Sequence, residues 1–579
     1  MRRVFSSSAL ALLLVACTSV PEKTSSPEKA PEGGERPASA DQPFERPTSP
    51  AAELDSEIVF NALAGEVAAQ RGELDLAYRH LLQAAELSGD AKAAERAARL
   101  AVYLKRNDLA VKAIARWSEL SPNDMAARQL GAAVALKQGD LEFAYSQLKA
   151  IIVISQAKEQ DGFLHAMAAV SHEKNHEAAI GLLQRLAAEY PDDPRGVYVV
   201  ALSALMNKSY GVAEINAERL IEQHPDWVKG YVLLSRIHIA RENKQAARKV
   251  LAEAVAKYPQ DQLLRSSYAR TLLDAGEKAL AYQQFEVLET QSPDDENVLF
   301  ALGVLALDMK RYRDARTHFN RLRELGKRAD DAAYYLGRVE ESEQRTSKAI
   351  SWYKKVHKGE LAYDAQVRIA QMMALQGKIA DARDWLKGLR IRMPERSPQL
   401  YLIEVDVLRE HVSSEEIMSI YDEGLTAHEN NQDLLYSRAL YAVTIDRLDI
   451  LERDLRKVIS LNPKHADALN ALGYTLTDQT SRHDEAFKLI SRALKLKPDA
   501  PAILDSMGWV HFRLGNLEQA LDYLERAMKA LPDSEIAAHL GEVLWVTGER
   551  ARARKVWQEA LESDPGSKYI LETMKRLTE

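Results

Sequence analysis

The residues most suggestive of chemistry are His172-Glu173-Lys174-Asn175-His176, which match H-E-x-x-H. Two histidines one helical turn apart can ligate zinc, with the intervening glutamate as the general base of a metalloprotease. That chemistry needs both histidines on one face of an unbroken helix. The sequence contains neither a G-x-x-x-x-G-K-[ST] phosphate loop nor a G-x-S-x-G nucleophile elbow. Cys17 is the single cysteine, so no intramolecular disulfide and no cysteine-based metal cluster can form. The net charge of -8, from 77 basic and 85 acidic residues, carries no basic excess of the kind that binds nucleic acid. A non-enzymatic protein without cofactor or resident metal is the expectation.

Cys17 draws its meaning from its position. Arg2 and Arg3 precede an apolar run, Ala9 to Ala16, too short to span a bilayer, and Leu14-Val15-Ala16 places small residues before the cysteine. The segment resembles a bacterial lipobox, which implies a signal peptide over residues 1–16 and a Cys17 that becomes the acylated first residue. A plain signal peptide with an incidental cysteine is the alternative. Buried acyl methylenes contribute ~0.8 kcal/mol each, so several chains anchor durably where one does not. Thr18 stands where lipoproteins kept in the inner membrane often carry Asp, which favours the outer membrane, facing the periplasm. Residues 17–52 hold seven prolines among Ser, Glu, Lys and Gly and read as a disordered tether. Such a tether spans ~35 Å as a coil and up to ~110 Å as polyproline II.

The elements that would position any functional residue come from one repeated unit. Pro191, Pro225, Pro259 and Pro293 follow one another at intervals of 34 residues, and Pro122, Pro394, Pro463, Pro498, Pro532 and Pro565 fall close to the same series. Alanines keep the same step, among them Ala77, Ala110, Ala144, Ala247, Ala281, Ala315, Ala486, Ala520 and Ala553. Small residues recur twelve positions before many of them, as at Gly65, Gly303, Gly337, Gly508 and Gly541. A period of 34 with proline ending one helix and opening the next is the signature of stacked helix-turn-helix units.

The pattern resembles the tetratricopeptide repeat, carried most clearly by Leu472-Gly473, Ala486, Ala493 and Pro498, then by Gly508, Ala520, Ala527 and Pro532. The resemblance implies an all-α tetratricopeptide-repeat superhelical solenoid over 53–566, with about fifteen hairpins and a capping helix at 567–579. In that register Lys174-Asn175 falls at the turn between two helices, which breaks the helix a zinc site would need. Function then belongs to the surfaces, chiefly a concave face lined by the first helix of each unit. Carried over residue by residue, the inward positions are Arg236, Arg270, Phe300, Tyr334, Arg338, Asn470, Tyr474, Asp505, Trp509, Phe512, Glu542 and Trp545. The competing reading is that several of these pack between hairpins. Residues 397–461 lack the expected alanines and read first as an irregular joint, with a second binding surface as the alternative. At the N-terminal end, Leu54, Ile58, Val59 and Leu63 form an apolar stripe that no earlier repeat covers.

The lipobox, the tether, the opening unit over Leu63 to Leu82, and the endings Ala468-Leu-Asn-Ala-Leu-Gly-Tyr474, Leu504-Asp-Ser-Met-Gly-Trp509 and Ala537-Ala-His-Leu-Gly-Glu-Val-Leu-Trp545 together resemble a narrower group. These are the outer-membrane lipoprotein adaptors of carboxyl-terminal processing proteases in Gram-negative bacteria. The resemblance implies a scaffold that binds the periplasmic protease and presents peptidoglycan cross-link hydrolases to it for degradation. On that reading the N-terminal stripe docks the protease and the groove takes the substrate. The alternatives are a pilotin-like assembly scaffold for a pilus, secretin or polysaccharide exporter, and a zinc protease using His172, Glu173 and His176.

Overall fold

The computed structural model describes residues 55–578. The expected signal peptide, 1–16, and tether, 17–52, with Cys17 and Leu54, lie outside the described residues. Within them the chain forms 31 α-helices and one 3-10 turn, Pro394–Arg396, and no strand. No described helix is long and apolar enough to cross a membrane.

The local reasons for these helices repeat as the sequence does. A proline closes one hairpin and an aspartate two residues later caps the next: Asp124, Asp193, Asp261 and Asp295 each accept a hydrogen bond from a backbone N–H of the first helical turn. The bend inside many hairpins places one residue in the left-handed region. Glycine supplies it at Gly139, Gly276 and Gly515, while Lys208, Glu242 and Lys310 adopt it with a side chain. The recurring alanines are sealed in the core, with Ala77, Ala110, Ala144, Ala247, Ala281, Ala315, Ala486, Ala520 and Ala553 all at 0% exposure.

The small position earlier in each hairpin has a steric cause. A Cβ at Gly303 would lie 2.6 Å from the Phe319 ring, and one at Gly508 would lie 2.5 Å from Leu524. A large side chain sixteen residues onward thus fills the space glycine leaves, and the two helices close on each other.

The described residues divide into two compact units, with the boundary between Leu325 and Gly326. In the first, the described helices pair into hairpins from Ser56–Gln70 with Leu74–Ser88 through Glu296–Asp308 with Tyr312–Glu324. Each hairpin packs on the next, and the buried side chains run on from hairpin to hairpin. The second unit runs from Ala329–Ser342 with Thr346–Tyr353 to Ser534–Val546 with Arg550–Ser563, and the helix Lys568–Thr578 packs against Ser534–Val546.

Residues 397–461 lie wholly inside the second unit and keep two hairpins, Ser397–Leu408 with Ser414–Ala427 and Gln432–Val443 with Leu448–Leu461. Their packing logic is altered. The small residue moves to the second helix, where Gly424 leaves room for Tyr401. The register position that elsewhere holds glycine or alanine holds Glu404, fully buried and bonded by Arg383 at 2.8 Å and by Arg390. In the following hairpin Arg438 donates to buried Asp454 at 2.6 and 2.9 Å. Charge pairs occupy the space where the other hairpins use small-residue contact.

Candidate protein-binding surfaces

The H-E-x-x-H residues do not meet the geometry that zinc ligation requires. Helix Gly162–Val170 ends before His172 and the next begins at His176, so the two histidines flank a bend. Asn175 caps the second helix by accepting from Ala178 N at 3.2 Å. Both histidines are exposed, and no described group of His, Cys, Asp or Glu is placed to share a metal ion.

The N-terminal helix Ser56–Gln70 has one face buried on its own hairpin through Asn61, Gly65 and Ala68. Its other side presents Val59, Phe60, Leu63 and Val67 to solvent, with Phe60 at 62% and Leu63 at 61% exposed. Ile58 is half-buried. Phe60 and Val67 were absent from the sequence reading, although spacings of three and seven from Phe60 to Leu63 and Val67 put all three on one helical face.

The residues expected in a groove divide by environment. Phe300 and Tyr334 are buried, at 2% and 4% exposure. Phe300 packs edge-on against Phe319 within its own hairpin. The Tyr334 hydroxyl donates to Asp364, which Arg368 also bonds at 2.6 Å. These two side chains hold hairpins together. Arg236 stays exposed beside Tyr198, Arg270 is half-buried near Asp274, and Arg338 lies 4.0 Å from Glu341.

Toward the C-terminus the expected residues converge. Helices Ala466–Gln479, Pro501–Arg513 and Ser534–Val546 bring Tyr474, Asp505 and Trp509 together with His539. His539 Nδ1 donates to Asp505 Oδ1 at 2.9 Å, since a carboxylate can only accept. The imidazole also lies face to face with Trp509, which in turn stacks on half-buried Phe512 with centroids 5.1 Å apart. The Tyr474 hydroxyl donates to Glu535 at 2.6 Å. Burial pulls the His539 pKa down, but Asp505, Glu535 and Asp478 outweigh it and hold the imidazole above its ordinary value. Burial, followed by Glu535, raises the Tyr474 phenol. Asn470 donates to the Ala502 carbonyl at 3.4 Å. Glu542 is buried and accepts from Arg576 of the closing helix. Trp545 is half-buried, with the Arg550 and Arg554 guanidiniums 5.0 and 5.5 Å from its ring.

His539 was not singled out from the sequence, yet it stands 34 residues after Asp505, one period along. Residues one period apart occupy matching places in consecutive hairpins, and that is the signal that links them.

A solenoid of stacked helical hairpins is the class that this fold defines. The chain belongs to the tetratricopeptide repeat family: residues 163–226, 232–296, 300–360, 436–501 and 506–568 match it. It is 32% identical over 540 residues to the TPR repeat-containing protein PA4667 of Pseudomonas aeruginosa, covering 92% of this chain and 89% of that protein. It is 24% identical over 171 residues to the human protein O-mannosyl-transferase TMTC1, covering 28% of this chain and 19% of that one. Among solved structures, the APC/C hetero-tetramer Cut9-Hcn1 aligns with a TM-score of 0.28 and 13% identity, over 90% of this chain and 97% of the other. A repeat array of this family is a scaffold for protein interaction, and its family is typically non-enzymatic.

Proposed function

We propose that the chain is an outer-membrane lipoprotein adaptor, anchored through acylated Cys17 and facing the periplasm. It binds a carboxyl-terminal processing protease and delivers peptidoglycan cross-link hydrolases to it. The observation that carries the reading is the exposed apolar face of Val59, Phe60, Leu63 and Val67 at the first hairpin, which no neighbouring described helix covers. Apolar side chains grouped on one exposed helix face mark a protein contact more often than chance exposure does. Repeat surfaces remain available for a second partner, so protease and substrate share one scaffold at raised effective concentration.

The test is degradation of a purified wall hydrolase by the processing protease, with and without this protein, for the native chain and for Phe60→Asp with Leu63→Asp. The reading expects acceleration by the native chain, and loss of both acceleration and protease binding in the double variant. Both side chains are exposed, so the fold tolerates the change. Unaltered protease binding by the variant removes the docking role of this face. Failure of the native chain to bind either protein, with recovery of envelope-machine subunits instead, replaces the adaptor with an assembly scaffold.

A further inference from the structure

The second unit carries a basic stretch inside an acidic chain. Residues 345–396 hold twelve lysines and arginines against five acidic residues, whereas the whole sequence holds 77 against 85. Arg345, Arg368, Arg383 and Arg390 each pair with a carboxylate. The other eight are exposed, and among the described residues none of them forms an ion pair. Elsewhere in the unit such cations are tied to the neighbouring hairpin: Arg456 bonds Glu485, Arg482 bonds Glu452 and Arg552 bonds Glu525.

Two features set the bare cations apart from an ordinary solvated surface. The helix Thr346–Tyr353 stops after 8 residues, where every later second helix of the unit runs 14. Beyond it the backbone N–H groups of His357 and Lys358 donate to Asp330 Oδ1 at 2.6 and 3.3 Å, and Val356 is buried. The segment is thereby fixed with Lys354, Lys355 and Lys358 exposed. Aromatic rings hold the cations as well. Lys354 Nζ and the Arg392 guanidinium lie 5.4 and 5.8 Å from the same ring, Trp385, and the Arg396 guanidinium lies 4.3 Å from that of Tyr363. Trp385 and Tyr363 pack on one buried cluster of Ala370, Leu386, Leu389 and Leu400, so the three cations share one edge of the hairpin.

Long side chains held in this way lose less rotamer freedom when they meet a ligand. Pre-placed cations without internal partners are complementary to carboxylates, which guanidinium and ammonium groups bond strongly. A bilayer fits this edge less well. Trp385 donates its indole N–H inward to the Gln366 carbonyl at 3.1 Å, and both rings are half-buried. Ile391 is the only exposed large apolar residue of helix Ile379–Arg392, too little for the apolar face that an interfacial helix inserts.

We propose that this edge of the second unit binds an acidic segment of a partner protein, whose carboxylates meet Lys354, Lys358, Arg392 and Arg396 beside Trp385 and Tyr363. The proposal takes from the scaffold reading only that the ligand is a protein, and needs neither the processing protease nor the hydrolases.

The test uses the full-length chain and short labelled Gly-Glu, Gly-Lys and Gly-Ser repeat peptides, read by fluorescence anisotropy at low and high salt. The Gly-Glu peptide binds saturably, and binding weakens as salt rises. Lys354→Gln with Lys358→Gln and Arg392→Gln lowers its affinity by about tenfold or more. All three side chains are exposed, and circular dichroism reports the fold. Lys457→Gln with Lys488→Gln and Lys495→Gln removes the same charge from exposed positions elsewhere in the unit and leaves affinity unchanged. Absence of saturable Gly-Glu binding, equal binding of Gly-Lys, or unaltered affinity in the first triple variant overturns the proposal. An equal loss in the second triple variant also overturns it, by assigning the binding to bulk charge. Co-sedimentation with phosphatidylglycerol vesicles covers the membrane alternative: a loss there in the first variant, with Gly-Glu affinity intact, replaces the acidic segment with a lipid surface. None of these outcomes bears on the degradation assay, so the two readings fail separately.

Discussion

The imidazole of His539 stacks on the indole of Trp509 with ring centroids 4.1 Å apart and 19° between the planes. The two side chains come from first helices of consecutive hairpins, so the stack joins units that local sequence alone would leave independent. Asp505 holds the same imidazole edge-on, which makes the joint both aromatic and ionic.

That joint predicts a pH dependence. The groups facing His539 are Asp505 and Trp509 from one helix, Tyr474 and Asp478 from another, and Glu535 on its own helix. Its folded pKa stands above the ordinary value of about 6.5, so the charged pair's contribution is complete below about pH 6.5 and is lost as pH rises through the folded pKa. Thermal unfolding of native and His539→Gln chains should differ most near pH 5.5, and the gap should narrow as pH rises through the folded pKa. A gap that stays constant across this range would assign the stabilisation to stacking alone.

Two glycines should respond in opposite directions to alanine. At Gly508 the added methyl meets Leu524 and Ala520, so Gly508→Ala destabilises by about 1–3 kcal/mol through overpacking. Gly181, inside helix His176–Ala188, has nothing within 4 Å of its would-be Cβ. Gly181→Ala should stabilise by about 0.5–1 kcal/mol by relieving the helix of glycine's entropy cost. Denaturant unfolding of the two variants reads the sign directly.

Glu404→Ala should loosen the second unit locally. It leaves Arg390, 9% exposed, without its carboxylate, and removing one partner of a buried pair costs about 3–5 kcal/mol. Glu423→Ala removes an exposed partner of Arg383 and should cost less than about 1 kcal/mol. Hydrogen exchange in helix Ser397–Leu408 distinguishes them, since a repeat array unfolds in parts. Equal protection in the two variants would show that Glu404 is dispensable.

Much of this protein was settled by its sequence. A hairpin is held by contacts within some 34 residues, so prolines, capping aspartates, sealed alanines and small-residue gaps recur in the linear pattern. The same register showed that His172 and His176 straddle a bend, because the turn is itself a local feature. The pattern could not decide which side an aromatic at a groove position takes. Phe300 and Tyr334 hold the register of groove residues, yet neighbouring rings and an Asp364–Arg368 pair enclose them. Nor could it foresee that Glu404 would stand buried where a small residue was expected, since its guanidinium partners lie 21 and 14 residues away. The gathering of Asp478, Asp505, Glu535, Trp509 and His539 spans three hairpins, and only the stacking of one unit on the next brings them together. Period-related positions exist in every unit, but a bond forms only where the tertiary packing faces an acceptor toward a donor at short range, as it does for Asp505 and His539.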